Sequence, residues 1–133
     1  MKSLTGENRD PGQLSPLTLA FVGDAVFELL VRSRLARMGS RPVSELHRLS
    51  VREVRCGAQS RAAERLLPLL KGEEADIFRR GKNARPGHVP PNADSADYHA
   101  ATALESVFGY LYLCGKKERL FGLYRALCGK EKG

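Results

Sequence analysis

The chain reads as an all-α helical bundle, and three observations carry that reading. Nowhere do apolar and polar residues alternate with the period of two that a half-buried strand requires. Two stretches, Leu17 to Phe27 and Ala100 to Leu113, are free of internal Pro and apolar round most of a helical circumference, as in a core helix. The segments around them open and close on helix signals, with Ser-Pro at a start and Gly or Pro at the stops.

Ser15-Pro16 is an N-cap followed by Pro in the first helical turn, and Gly39 with Pro42 closes that first long helix. A short helix is predicted from about Pro42 to Leu49, with Ser50 capping the next. The third runs from about Val51, carries Val54, Ala58, Ala62 and Leu66 at fourfold spacing, and ends near Pro68. Gly72 and Gly81 bracket a fourth, whose acids Glu73 and Glu74 at the start and Arg79-Arg80 at the end suit the helix dipole. Lys82 to Ala93 contains Pro86, Gly87, Pro90 and Pro91 and is predicted to be a loop, long enough in so small a domain to be functional or mobile. Asp94 or Ser95 caps the second long helix, which ends at Gly115, and Lys116 to Cys128 forms the last.

With 133 residues the chain is expected to form one domain, with its core between about residues 14 and 128. No run approaches the roughly 18 apolar residues of a membrane span, and the first ten residues lack the apolar core of a secretory signal, so a cytoplasmic location without membrane contact is expected. Cys56, Cys114 and Cys128 show no CxxC or Cys/His spacing, and His47, His88 and His99 are scattered, so no disulfide framework or zinc site is indicated. Twenty-two Lys and Arg against fifteen Asp and Glu give a net charge of +7, which favours a polyanionic partner. There is no Trp, and Tyr and Phe fall mostly in helical core periods, which argues against a single-strand stacking surface.

Each apolar stretch carries one acid, Asp24 in the first and Glu105 in the second. On the reading that both helices are buried, each acid must meet a cation, a hydrogen-bond network or a water-filled pocket, because an unpaired carboxylate is costly to bury. Two such acids suggest a shared cation. A helix-interior Gly costs about 1 kcal/mol against Ala, so Gly23 and Gly109 imply the close approach of another backbone, a metal or a ligand. Glu28, one turn after Asp24, stands four residues before Arg32 and is better read as an i,i+4 ion pair than as a group near a metal.

The run Leu19-Ala20-Phe21-Val22-Gly23-Asp24-Ala25-Val26 resembles the signature helix of the ribonuclease III family, and Leu104-Glu105-Ser106-Val107-Phe108-Gly109-Tyr110-Leu111-Tyr112-Leu113 resembles its second catalytic helix. Leu46-His47 and Arg80-Gly81-Lys82-Asn83-Ala84 fall between them in the order typical of the Mini-ribonuclease III branch, so the resemblance covers about residues 14 to 125. It implies a magnesium-dependent endoribonuclease that cleaves double-stranded or structured RNA as a homodimer, without an appended double-stranded-RNA-binding domain. The branch is associated with maturation of the 23S ribosomal RNA precursor. Asp24 and Glu105 match the two carboxylates that hold Mg2+, while Ala20 and Thr102 stand where larger relatives carry two further acids. Phe21 resembles an aromatic that inserts into the partner subunit; read by itself it is equally an ordinary core Phe.

Arg80, Lys82, Asn83, Arg85 and His88 are the candidate RNA contacts, since duplex RNA is read mainly through phosphates and 2′-hydroxyls. The plainer alternative for Arg79 and Arg80 is that they only offset the dipole of their helix. A non-catalytic RNA-binding component of the same fold, such as a ribosomal or ribosome-assembly factor, is the main rival reading. It has no need of both Asp24 and Glu105.

Overall fold

Ser95–Leu113 forms helix α5, the axis of the fold: from Ala100 to Leu111 every residue is buried except Ala101 and Glu105. The computed structural model describes residues 9–57, 60–84 and 95–129. Around α5 pack α1 (Pro16–Arg37), α3 (Ser60–Leu66), α4 (Glu73–Lys82) and α6 (Lys117–Gly129), while α2 (Val43–Gly57) lies against α1. Two 3-10 turns, Pro11–Gln13 and Leu67–Leu69, complete the described elements, and no strand occurs among the described residues. No helix there is long and apolar enough to cross a membrane.

The predicted start of α1 is present, with the Ser15 hydroxyl accepting from the Thr18 N–H at 3.1 Å and Pro16 in the first turn. Gly115, at φ 74°, ends the run after α5, and the Lys116 N–H returns to the Leu111 carbonyl at 2.9 Å. The core joins Phe27 of α1 to Phe108 of α5 and Tyr124 of α6, with ring centroids 5.5 and 5.9 Å apart.

Two boundaries differ from the sequence reading. Val43–Gly57 is one helix and does not break at Ser50, because the Ser50 hydroxyl donates back to the His47 carbonyl at 2.9 Å instead of capping a new start. The single helix expected from Val51 to Pro68 is therefore divided between the end of α2 and α3, with Ala58 outside the described residues. Helix α4 also continues through Gly81, which lies in its last turn against α5.

Candidate active site

The site begins at the crossing of α1 and α5. A Cβ on Gly23 would lie 1.7 Å from the Glu105 carbonyl oxygen, and one on Gly109 would lie 2.0 Å from the Leu19 carbonyl oxygen. Each glycine thus lies directly against the backbone of the other helix, closer than a residue with a Cβ would permit. This contact is the close approach that the two glycines foretold, and it sets Asp24 beside Glu105.

The two acids are not buried alike. Asp24 is exposed and Glu105 half-buried, which corrects the expectation that both are enclosed. Helix α1 turns Leu19, Ala20, Gly23, Val26, Phe27, Val31 and Leu35 to the core, yet Leu17, Phe21, Ala25 and Leu29 remain exposed at fourfold spacing. An apolar circumference here means one core face plus one exposed apolar stripe, with Asp24 at their margin. Partial burial, the neighbouring Asp24 charge and a hydrogen bond with Asp24 push the Glu105 carboxyl up to about 8. Negative charge on Glu105 is therefore disfavoured beside Asp24, and a cation at this point would relieve that cost.

The other candidate residues separate. Phe21 is 80% exposed, which removes the reading of it as a core side chain. Glu28 pairs with Arg32 at 3.0 Å, the ordinary helix pair expected of it. Ala20 and Thr102 are buried, and the Thr102 hydroxyl is committed to the Tyr98 carbonyl at 3.0 Å. Among the described residues no group of three or more His, Cys, Asp or Glu is arranged to hold a metal. Lys82 and Asn83 are exposed at the rim of a cavity of about 400 Å³ bounded by α3, α4 and α5, which His99 and Glu64 also line. Arg80 donates to the carbonyls of Gly12 at 3.1 Å and Leu14 at 3.2 Å. Arg85 and His88 lie outside the described residues.

Sequence reasoning missed several tertiary polar contacts. Arg119 of α6 makes a two-pronged contact with the buried Glu74 at 2.7 and 2.8 Å, and that contact lowers the Glu74 carboxyl below its usual range. Arg34 joins α1 to Glu53 of α2 and, at 3.2 Å, to the Tyr124 hydroxyl of α6. Asp97 accepts from the first N–H of α3, that of Ser60, at 2.8 Å. These partners are tens of residues apart, so no local pattern announces them.

The model of the ribonuclease III domain matches residues 17–116, a span that includes both helices of this crossing and both carboxylates. A Mini-ribonuclease 3 from Symbiobacterium thermophilum is 44% identical over 88% of this chain and 90% of its own. One from Brevibacillus brevis is 44% identical over 84% of each chain. A crystal structure of a protein from Fusobacterium nucleatum superposes with a TM-score of 0.78 at 29% identity, covering 93% of this chain and 99% of that one. The chain belongs to the ribonuclease III family, in its Mini-ribonuclease 3 branch, and is an endoribonuclease.

Proposed function

We propose that the chain cleaves double-stranded RNA as a magnesium-dependent homodimer in the cytoplasm, and that its substrate is a structured precursor of 23S ribosomal RNA. The observation that carries the catalytic part is the meeting of Asp24 and Glu105 at the crossing of two rigid helices. Rigid elements hold catalytic geometry better than loops do. The donor set fits magnesium, which is commonly held by one or two carboxylates with phosphate oxygens and water completing the shell. When bound, such an ion polarises the scissile phosphate and lowers the pKa of a coordinated water, so no protein nucleophile is needed.

The chain's own residues then have separate tasks. Glu105 is held on the central helix α5, and Asp24 faces solvent, from which a duplex approaches. With Ala20 and Thr102 in place of further acids, the protein supplies ligands for one ion, and RNA phosphates must do most of the work for any second. The +7 charge draws the polyanion in. Lys82 and Asn83, with Arg85 and His88, are the groups proposed to touch its backbone. The exposed apolar stripe of Leu17, Phe21, Ala25 and Leu29 is the surface proposed to meet a second copy.

Incubation with a duplex containing the paired ends of a 23S precursor, with magnesium and with a chelator instead, tests the proposal. Staggered cuts on both strands with 3′ overhangs, seen only with the ion, are expected. Cleavage that persists in chelator, or RNA binding without any cut, would reject it.

A further inference from the structure

Arg80 belongs to the Arg80-Gly81-Lys82-Asn83-Ala84 run at the end of α4, and its side chain points its donors at the protein. Nη1 donates to the Gly12 carbonyl at 3.1 Å and Nη2 to the Leu14 carbonyl at 3.2 Å. Both acceptors lie on the strap, residues 10–15, that leads directly into α1. A guanidinium is a planar fork, so two such bonds fix the direction of the strap as well as its position, which a single ammonium cannot do.

Other contacts close on the same point. The Glu73 carboxylate closes over Gly12, where a Cβ would lie 2.7 Å from its Oε2 and would have to push that side chain aside, and Glu73 in turn accepts from the Tyr110 hydroxyl of α5. Helix α4 is seated on α5 at Gly81, where a Cβ would come within 2.9 Å of Ala103 Cα and 2.8 Å of Ser106 Oγ. That same hydroxyl, on the residue after Glu105, has two acceptors for its one hydrogen: the Thr102 carbonyl of its own helix at 2.7 Å and the carbonyl of Pro16 in the first turn of α1 at 2.9 Å. Strap, α4 and α5 thus converge on the start of α1, eight residues before Asp24.

A helix transmits its register: a slip of one residue moves every side chain by about 1.5 Å along the axis and about 100° around it. A metal site tolerates only about 0.5 Å. We propose that Arg80 is a positioning residue for the carboxylate pair, clamping the strap so that α1 delivers Asp24 in register with Glu105. The proposal rests on the reading of Asp24 and Glu105 as metal ligands. It gives Arg80 a task other than RNA contact, and the two tasks differ in what they do to metal affinity and to salt dependence.

The test compares Arg80→Ala, Arg80→Lys and Ser106→Ala with wild type in three measurements. These are Mg2+ affinity of the protein alone by calorimetry, RNA binding without metal across a salt series, and the single-turnover cleavage rate at saturating RNA. Removing a group that orients metal ligands commonly costs about 10–100-fold in metal affinity or activity, so Arg80→Ala is expected to lose about tenfold in each. Arg80→Lys should regain part of the loss, and Ser106→Ala should move both readouts in the same direction by less. RNA affinity and its salt slope should stay at wild-type values. Should Arg80→Ala fail to fold, Arg80→Lys and Ser106→Ala carry the same comparison. Unchanged metal affinity with a salt slope shallower by about one unit would overturn the proposal in favour of a phosphate contact. A lower melting temperature with unchanged metal affinity and saturating rate would overturn it in favour of a purely structural bond. Asp24→Asn run in parallel separates the layers: if that variant binds Mg2+ as wild type does, the metal-site reading itself fails. If it loses the ion while all three test variants keep it, only the clamp fails.

Discussion

Along α5 from Ala100 to Leu111 only Ala101 and Glu105 are less than fully buried, and the surroundings of Glu105 make its charge expensive. Burial and the adjacent Asp24 raise its carboxyl from 4.5 to about 8. A raised folded-state value means that the folded protein binds more protons than the unfolded chain between those two pH values. The metal-free protein should therefore lose stability as pH climbs through that window, by at most about 1.4 kcal/mol per pH unit. Thermal melts in chelator are expected to show a melting temperature falling from pH 5 to 8. Added magnesium should flatten the trend, since the ion takes the proton's place. Glu105→Gln, which cannot ionise, should abolish the slope; a slope unchanged in that variant would assign the effect to another group.

At the scale of the element, the crossing of α1 and α5 does what neither acid can do alone. Gly23→Ala puts a methyl 1.7 Å from the Glu105 carbonyl oxygen, where the obstacle is backbone and cannot swing aside. Overpacking costs about 1–3 kcal/mol and occasionally more; a clash at 1.7 Å with fixed backbone belongs at the upper end, above the roughly 1 kcal/mol that Ala gains in a helix. Denaturant melts should show that loss together with lost metal affinity, and an Ala variant as stable as wild type would refute the close crossing. That something comes close here was legible in the sequence, because Gly23 next to Asp24 and Gly109 one turn after Glu105 each imply a close approach; that the approaching group is the other helix's backbone was not. Helix starts and stops at Ser15-Pro16 and Gly115 were legible for the same local reason. What escaped was tertiary. Ser50 looks like a cap until its hydroxyl is seen bonded within its own helix, and Arg80 looks like a surface cation because its acceptors are backbone carbonyls 66 and 68 residues away. The enclosure expected of Asp24 was likewise an inference from apolar neighbours that turn outward.

Those outward neighbours matter at the scale of the whole molecule. Phe21 is 80% and Leu29 62% exposed, with Leu17 and Ala25 on the same stripe of α1. Such a stripe is a poor surface to leave in water and a good one to pair with its own copy about a two-fold axis. Phe21→Asp would place a charge in the proposed contact, so light scattering is expected to give a dimer for wild type and a monomer for the variant. Far-UV circular dichroism should be unchanged, because Phe21 contributes almost nothing to the protomer's core. A Phe21→Asp dimer of wild-type strength would move the interface elsewhere.

On the proposed function, Asp24 and Glu105 together hold the ion that drives cleavage, while RNA is bound by other groups. Asp24→Asn and Glu105→Gln keep the shape of each side chain and remove only the charge that magnesium needs. The most direct measurement is the single-turnover cleavage rate of a duplex RNA at saturating protein and magnesium, with RNA binding recorded on the same preparations. Wild-type RNA binding is expected, with a cleavage rate lowered by at least about a hundredfold in each variant, because a metal ligand's several kcal/mol of transition-state stabilisation is lost. Cleavage near the wild-type rate by either variant would contradict it.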